Sequence, residues 1–463
     1  MTAGEGNGSV SLSAISESQA RYIQENVPGA TIFPPGSQPG GTVPAEFFYR
    51  AGQVLTRDRD RQDVLNALVR LAPTLTIDDT RFERAEVAGH PIPGLTLIQL
   101  IFNKPPGEDP IAQEQIMFSA LEAIAQQLGR GKATPNHLLS VAQPNIVSWC
   151  PAGEPVLVPP DAGPQPGISR SGCDGRGTLV AVVDGGLAPS SHPWMQGVTG
   201  DPDPQVIPPD QNDPAGQIGR YGGHGTFIAS IIRAMAPRAE VRVAGVLETA
   251  GAAFEADVVS ALRSVLDWAP DVISLSAGTH TWNSGGLLSF QVFVDGPLRE
   301  RAGTVLVAAA GNDGADWKFS PADMDSVIGV GALGPPGDAR AGFSNYGDWV
   351  KVYAPGQDLV QAFASGTYTY QEQNVGTQAV FGGMASWSGT SFSTPVVSGL
   401  IAARMPGTGE SAREAADSLL RLARAQALPG VGPVLRPGQA CLCLCEQPCR
   451  GRPPVRCGCR SDG

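Results

Sequence analysis

Short apolar runs alternate with stretches of helical character from Thr178 to about Ala403, and this alternation restricts the fold more than any other feature of the chain. The apolar runs include TLVAVVD, VRVAGVL, DVISLSA and TVLVAAA, and helical segments such as HGTFIASIIRAMA lie between them. Buried strands that alternate with helices form a parallel sheet that is covered by helices on both faces. We therefore predict a doubly wound, mostly parallel α/β domain over residues 177–435.

The region before this domain has a different pattern. Residues 1–44 are rich in Gly, Ser and Pro without periodicity, which predicts a disordered arm. Residues 45–142 have the β-α-β-β-α-β order that is typical of a small ferredoxin-like α+β domain. Its predicted strands and helices are, in chain order, residues 47–55, 58–71, 82–87, 95–102, 110–128 and 138–141. A Pro- and Gly-rich linker at 143–176 and a Cys-rich tail at 436–463 complete the predicted organisation.

The charge balance and the N-terminus limit the partners and the location. The 463 residues carry a formal net charge of −12, whereas general nucleic-acid binding needs a basic surface that displaces counterions from phosphates. No run of about 18 apolar residues is present, so we predict no membrane span. The first residues, MTAGEGNGSVSLSAISESQ, have neither a basic nor an apolar segment of a signal peptide. This favours a cytoplasmic location, with secretion as the alternative.

Polar residues that follow the predicted strands are the candidates for chemistry, because ligands bind at the carboxyl ends of the strands in a doubly wound sheet. Asp184 ends the strand TLVAVVD, and His224 opens a helix within Gly-Gly-His-Gly. Asn312 follows TVLVAAA, and Ser391 precedes a helix in SWSGTSFSTP. Each alone has an ordinary structural explanation: a solvated loop carboxylate, a helix-cap histidine, a turn asparagine or an N-cap serine.

The four residues have a chemical purpose when they act together. A serine hydroxyl needs a histidine base to become a nucleophile, and that base needs a carboxylate that fixes its tautomer. The amide of Asn312 and the free N–H groups at a helix start can stabilise an oxyanion. In α/β-hydrolases the serine comes before the acid and the histidine, whereas here the order is Asp184, His224, Ser391.

These motifs resemble those of the subtilisin-like serine proteases, the subtilases of peptidase family S8. VAVVDGG resembles the family's Asp motif, GGHGTFIAS its His motif, AAAGNDG its oxyanion motif and SGTSFSTPVVSG its Ser motif, within residues 176–435. The resemblance implies that Asp184 orients His224, that His224 is the base, that Ser391 is the nucleophile and that Asn312 is the oxyanion donor. It also implies a substrate-binding edge and pocket walls, formed by Ser276, Ala277, Gly278, Ala310 and Gly311.

Four residues depart from the commoner family pattern. Gly185 stands where the family usually has Thr or Ser, and Phe227 stands where a second histidine is common. Phe392 and Ser393 replace a common Met-Ala pair. None of these removes a catalytic group. The short segment Asp316-Trp317-Lys318 after the oxyanion motif leaves the shape of the specificity pocket open.

The ferredoxin-like domain resembles subtilase propeptides in its predicted fold and in its place before the protease. The resemblance implies an intramolecular partner that assists folding and blocks the cleft with its C-terminal segment. The alternative is an unrelated ferredoxin-like adaptor.

The cysteines and one acidic loop are the candidates for metal binding. Two of the eight cysteines, Cys150 and Cys173, are isolated. The other six lie in the tail: Cys441, Cys443, Cys445, Cys449, Cys457 and Cys459. Clustered thiols favour Zn²⁺, and the alternatives are a disulfide knot or a redox-sensitive disordered tail. Four aspartates are candidate Ca²⁺ ligands, and the alternative is that they form a solvated acidic loop. They are Asp201, Asp203, Asp210 and Asp213.

The sequence as a whole predicts a serine endopeptidase that hydrolyses protein or peptide substrates through an acyl-enzyme and needs no cofactor for its chemistry. One alternative is a catalytically silent relative that binds peptides in the same cleft. Another is a serine hydrolase that does not act on peptides.

Overall fold

The computed structural model describes residues 20–442 with gaps at 36–45, 72–75, 78–83, 88–89, 102–109, 142–152, 171, 210, 212, 248–249 and 373. The strands of the described residues form sheets of eight, seven and five strands. The eight-stranded sheet carries the candidate site, and the seven-stranded sheet contains most of the region before residue 142.

The eight-stranded sheet is mostly parallel, as the sequence predicts. Its five central strands are mutually parallel and lie in the order Val327–Gly334, Val305–Ala309, Val272–Leu275, Leu179–Asp184 and Glu240–Gly245. Three short strands extend the sheet: Thr199–Gly200, Val352–Pro355 and the antiparallel Ala339–Arg340.

Helices cover both faces of this sheet because both faces are apolar. In the strand Leu179–Asp184, Val180 and Val182 pack in one core, whereas Ala181 and Val183 pack in another. Successive side chains of a strand point to opposite faces, so one apolar run supplies both cores. The helices of the first core are His224–Met235, Thr390–Thr408 and Ala412–Ala425, and those of the second are Glu255–Leu266 and Leu288–Phe293.

Residues 46–141 have the predicted β-α-β-β-α-β order. The elements are the strand Phe47–Arg57, the helix Arg61–Leu71, the strands Arg84–Val87 and His90–Ile101, the helix Pro110–Leu128 and the strand Ala133–Ser140. The strand Phe47–Arg57 pairs with Ala133–Ser140 on one side and with His90–Ile101 on the other. Arg84–Val87 pairs with His90–Ile101. A short additional strand, Thr76–Ile77, pairs with His90–Ile101.

Part of the predicted disordered arm is folded. Residues 20–26 are helical, and Ala30–Phe33 pairs antiparallel with Phe47–Arg57. Ile23 and Ile32 are buried in one apolar cluster, together with residues of the α/β domain. These contacts are long-range, and the Gly- and Pro-rich composition around them gave no local signal. Residues 1–19 and 36–45 lie outside the described part of the chain.

Two further pairings differ from the sequence expectation. An antiparallel hairpin of Leu359–Thr369 and Gln378–Trp387 lies within the region expected to alternate strands with helices. In the predicted linker, Val156–Leu157 pairs with the second hairpin strand. The helix Ala412–Ala425, in contrast, begins at the predicted capping box, in which Ser411 and Glu414 each accept the other's backbone N–H.

A disulfide changes the interpretation of two cysteines, one predicted to be isolated and the other a candidate metal ligand. Cys173, which the sequence left isolated, is bonded to Cys441 across a sequence separation of 268 residues. Cys441 therefore has no free thiolate for a metal ion, and Cys150 and the other five tail cysteines lie outside the described residues. Within the described ranges, no helix combines the length and the apolar character needed to cross a membrane.

Candidate active site

Asp184 and His224 form a buried pair at the carboxyl end of the central sheet. Nδ1 of His224 lies 2.8 Å from Oδ1 and 2.9 Å from Oδ2 of Asp184. The backbone N–H of Gly185 also donates to Oδ1 at 2.8 Å, so the missing hydroxyl at this position is replaced by a main-chain donor. Nε2 of His224 is buried and has no hydrogen-bond partner within the described ranges. A histidine held in this way presents Nε2 as a base.

Two glycines explain why His224 can occupy this position. Gly223 precedes the helix in the left-handed region, with φ +81°, where other residues are strained. A Cβ on Gly225 would clash with the carbonyl oxygen of Gly186 in the loop that follows Asp184. The Gly-His-Gly motif therefore lets the helix start approach the aspartate loop closely.

Ser391 is the second residue of the helix Thr390–Thr408 and is 2% exposed. Its Oγ donates to the carbonyl oxygen of Ser276 at 3.4 Å, and Oγ of Ser276 donates to the carbonyl oxygen of Ser391 at 2.8 Å. The hydroxyl thus points to the strand end rather than to His224. Hydrogen bonds between catalytic groups are often long or misaligned without substrate and tighten in the complex.

Aromatic rings connect the start of the serine helix with His224. The ring of Phe392, the residue after the serine, lies 5.3 Å from the imidazole of His224 between centroids. Phe392 also contacts Phe227 at 4.6 Å, and Trp387 lies 5.4 Å from His224. The two phenylalanines that depart from the family pattern therefore pack against each other, and they form one apolar wall around the histidine.

Asn312 lies directly beside the start of the serine helix. Its Oδ1 accepts hydrogen bonds from the backbone N–H and from Oγ1 of Thr390, both at 2.8 Å. Oγ1 of Thr390 in turn accepts the N–H of Gly311 at 3.1 Å. These bonds use the oxygen end of the amide, so the Nδ2 end is the one available as a donor. Sequence analysis did not assign a role to Thr390, although it stands within the quoted serine motif.

The predicted substrate-binding edge is paired with a strand from the ferredoxin-like region. Ser140 and Gly278 exchange two backbone hydrogen bonds, at 3.1 and 3.3 Å. On the other side, Ala252–Phe254 pairs antiparallel with the strand Ala133–Ser140, and the N–H of Val141 donates to the carbonyl oxygen of Gly251 at 2.9 Å. The end of this strand thus lies between two edges of the α/β domain, one at Gly278 and the other at residues 251–254.

The predicted pocket walls, Ala310 and Gly311, are hydrogen-bonded to Asn345, a residue to which the sequence analysis assigned no role. Nδ2 of Asn345 donates to the carbonyl oxygen of Ala310 at 3.0 Å, and the backbone N–H of Asn345 donates to that of Gly311 at 3.0 Å. Oδ1 of Asn345 accepts the N–H of Asp313 at 2.7 Å. Asn345 lies in an ordinary loop of the sequence, where no local pattern distinguishes it.

Asp203, one of the candidate Ca²⁺ ligands, is instead buried beside the backbone that precedes His224. It is 5% exposed, and its Oδ2 accepts the backbone N–H of Gly223, the residue before His224, at 2.8 Å. Its Oδ1 accepts the N–H of Gln205 at 2.9 Å. Burial, with a smaller contribution from the nearby Asp184 charge, raises the pKa of Asp203 to about 6.

The other candidate calcium ligands do not converge with Asp203. Asp201 accepts the N–H of Gly245, and Asp213 accepts bonds from its own loop and from Gln217. Asp210 lies outside the described residues. Across the described part of the chain, no group of three or more His, Cys, Asp or Glu side chains is arranged to hold a metal ion.

Comparison with known proteins shows which family the chain resembles. Residues 175–422 match the subtilase family, Peptidase_S8. The chain is 30% identical over 299 residues to a thermophilic serine proteinase of Bacillus sp. (strain AK1), covering 61% of this chain and 66% of that protein. It is 33% identical over 250 residues to thermitase of Thermoactinomyces vulgaris, covering 52% and 78% of the two chains.

Other relatives give the same result. Subtilisin E of Bacillus subtilis (strain 168) is 30% identical over 250 residues, covering 51% of this chain and 58% of that protein. The alignments therefore span less than two thirds of the thermophilic proteinase and of subtilisin E. A cold adapted subtilisin-like serine proteinase of known structure is 24% identical and covers 58% of this chain and 91% of its own, with a TM-score of 0.43. The family match covers more than half of this chain, so the chain belongs to the subtilase family of S8 peptidases.

Proposed function

We propose that this subtilase is a serine endopeptidase that uses Asp184, His224 and Ser391 as its catalytic triad. The observation that carries the proposal is the buried Asp184–His224 pair, whose Nε2 has no partner among the described residues, at the sheet edge that also holds Ser391. A buried, unpartnered ring nitrogen is costly unless a reaction uses it. Abstraction of the serine proton is such a use.

The reaction follows from the positions of these groups. Oγ of Ser391 attacks the peptide carbonyl carbon while His224 accepts its proton, and Asp184 stabilises the imidazolium. Nδ2 of Asn312 and the backbone N–H of Ser391, the second residue of the serine helix, stabilise the oxyanion. His224 then protonates the leaving amine, which gives an acyl-enzyme, and water releases the acid by the same steps in reverse.

Labelling with a fluorophosphonate probe, combined with digestion of casein and of a small ester, tests this function. We expect the wild type to be labelled at Ser391 and to cleave casein, and Ser391→Ala to lose both activities. Ser393→Ala is the matched control, because that hydroxyl donates to the backbone of Thr390 within the helix and should retain labelling. Absent labelling would favour a silent peptide-binding relative, and ester cleavage without casein cleavage would favour a non-peptidase hydrolase.

We also propose that the ferredoxin-like region acts as an intramolecular, propeptide-like inhibitor. Support comes from the backbone pairing of Ser140 with Gly278 and of Val141 with Gly251, which occupies the edges that an extended substrate would use. Wild type and Ser391→Ala should be purified side by side and their masses compared. Shortening of the wild type alone supports self-processing, and two chains of full length count against it.

We further propose that the protein works in an oxidising compartment, rather than in the cytoplasm that its N-terminus favoured. The support is the disulfide between Cys173 and Cys441, because such bonds persist where thiols are not kept reduced. Alkylation of the native protein followed by mass spectrometry tests this. Modification of both cysteines without prior reduction would contradict it.

A further inference from the structure

We propose that Phe319 closes the pocket for the side chain that precedes the scissile bond, so that this protease cleaves after small residues such as Ala, Gly and Ser. The inference rests on the endopeptidase function proposed above and names its substrate class. It is carried by the position of one buried ring between two strand ends.

The site itself determines where the substrate side chain must go. The parallel strands Val272–Leu275 and Val305–Ala309 are neighbours, and their carboxyl ends lead into the edge that contains Ser276 and into the loop that contains Asn312. Ser391 is hydrogen-bonded to Ser276, and Asn312 is bonded to the residue before Ser391. A substrate carbonyl held between Ser391 and Asn312 therefore places its side chain in the gap between these two strand ends.

The ring of Phe319 occupies this gap. A Cβ built on Gly278, on the first strand end, would lie 2.8 Å from Cδ1 of Phe319. A Cβ built on Gly311, on the second, would lie 2.9 Å from Cγ and 3.1 Å from Cδ1 of the same ring. One ring thus contacts both walls, and Phe319 is only 4% exposed. The volume that would receive a large substrate side chain is filled by the protein itself.

Neighbouring bonds hold the ring in place. Thr279 and Ser320, which directly follow Gly278 and Phe319, exchange two backbone hydrogen bonds of 2.9 Å each. The imidazole of His280 packs edge-on against the Phe319 ring, with centroids 5.4 Å apart. Nδ1 of His280 lies 3.0 Å from the carbonyl oxygen of Lys318. Because this pairing fixes the backbone beside Phe319 and His280 packs against the ring, we expect the pocket to stay closed when substrate binds.

The test compares peptide substrates that differ only in the residue before the cleaved bond: Ala, Leu or Phe. The concentration of active enzyme is titrated with a fluorophosphonate, and kcat/KM is measured for wild type, Phe319→Ala and Phe319→Val. We expect the wild type to prefer Ala to Phe at least about tenfold. We expect Phe319→Ala to raise the Phe-to-Ala ratio by about tenfold or more, with Phe319→Val intermediate. Having both variants keeps the test valid if the larger truncation does not fold.

Trp268→Ala is the matched control, since this ring packs against Arg242 and comes before the strand Val272–Leu275, at the end of the sheet opposite the candidate site. It should leave the preference for the preceding residue unchanged. A wild type that cleaves after Phe as fast as after Ala, or a ratio that neither Phe319 variant changes, would overturn the inference. If Ser140→Pro, which lacks the backbone donor from the ferredoxin-like region to Gly278, is also neither labelled nor active on any of the three substrates, the endopeptidase function is contradicted, and the inference with it.

Discussion

Nδ1 of His224 lies within 2.9 Å of both carboxylate oxygens of Asp184, and the two side chains are 1% and 0% exposed. A carboxylate that accepts from Nδ1 fixes the tautomer and leaves Nε2 as the base. It also lowers the cost of forming an imidazolium in a site from which water is excluded. Most of the catalytic effect that we assign to Asp184 therefore acts through His224.

Asp184→Asn should lower kcat by about 10⁴-fold, because an amide can hold the ring in the wrong tautomer and cannot stabilise its charge. KM should change little. The measurement is steady-state kinetics on a cleaved peptide, with the rate of fluorophosphonate labelling as a second readout. Asp201→Asn is the control, since that carboxylate accepts a backbone N–H from Gly245 outside the triad. A loss below about tenfold would remove Asp184 from the mechanism.

Asn312→Ala should lower kcat by about 10²–10³-fold through loss of one oxyanion donor. Thr390→Val keeps the backbone donor to Oδ1 of Asn312 but removes the Oγ1 donor, so we expect a smaller loss of about tenfold. Thr390→Ser retains the hydroxyl and should stay near the wild-type rate. If Thr390→Val and Thr390→Ser had equal kcat, the hydroxyl would have no positioning role.

Asp203 should make stability decrease as the pH rises from about 4 to about 6. Burial raises its pKa in the folded protein to about 6 from the ordinary value of 3.8, so the folded state binds the proton more tightly than the unfolded chain. The contribution is fully present below the unfolded pKa, and it is lost as the pH passes through the folded one. Its size is on the order of 3 kcal/mol, at about 1.4 kcal/mol for each unit of pKa.

Urea unfolding of wild type and Asp203→Asn from pH 4 to pH 7 measures this contribution as a difference in slope. The variant should lack this part of the decline, even if loss of the bond to Gly223 destabilises it at every pH. Asp213→Asn is the control, because the Gln217 side chain lowers the pKa of that carboxyl, so its contribution to stability should stay constant above about pH 4. Parallel curves for wild type and Asp203→Asn would refute the assignment.

Ser140→Pro should raise the activity of the full-length chain by about tenfold, because proline has no N–H to donate to the carbonyl oxygen of Gly278. Ser140→Ala keeps the backbone donor and is the matched control. Both variants are assayed on a short peptide, with the labelled fraction as the measure of open active sites. Equal activity of the two variants would mean that this pairing does not restrict access.

The order of most elements and the places of the four candidate residues in the fold could be predicted from local patterns. Each of these patterns lies within a few neighbouring residues. Examples are the apolar runs of the central sheet, the capping box at Ser411 and the glycines around His224. Asp184 and Asn312 could be predicted because parallel strands bring their carboxyl ends to one edge, and His224 and Ser391 because each lies at the start of a helix. Thr390 stood beside Ser391 in the sequence, but its bond to Asn312 connects two distant loops.

The sequence by itself therefore determined the α/β class, the central strands and helices, and the positions of Asp184, His224, Asn312 and Ser391. Only the tertiary structure decided what surrounds them: the bond of Asp203 to the residue before His224, the pairing of Ser140 with Gly278, and the ring of Phe319 between Gly278 and Gly311. The physical reason is that strand and helix signals repeat over neighbouring residues, whereas these contacts join segments far apart in the chain. Packing and strand register depend on the whole fold, and they determine which side chains are in contact.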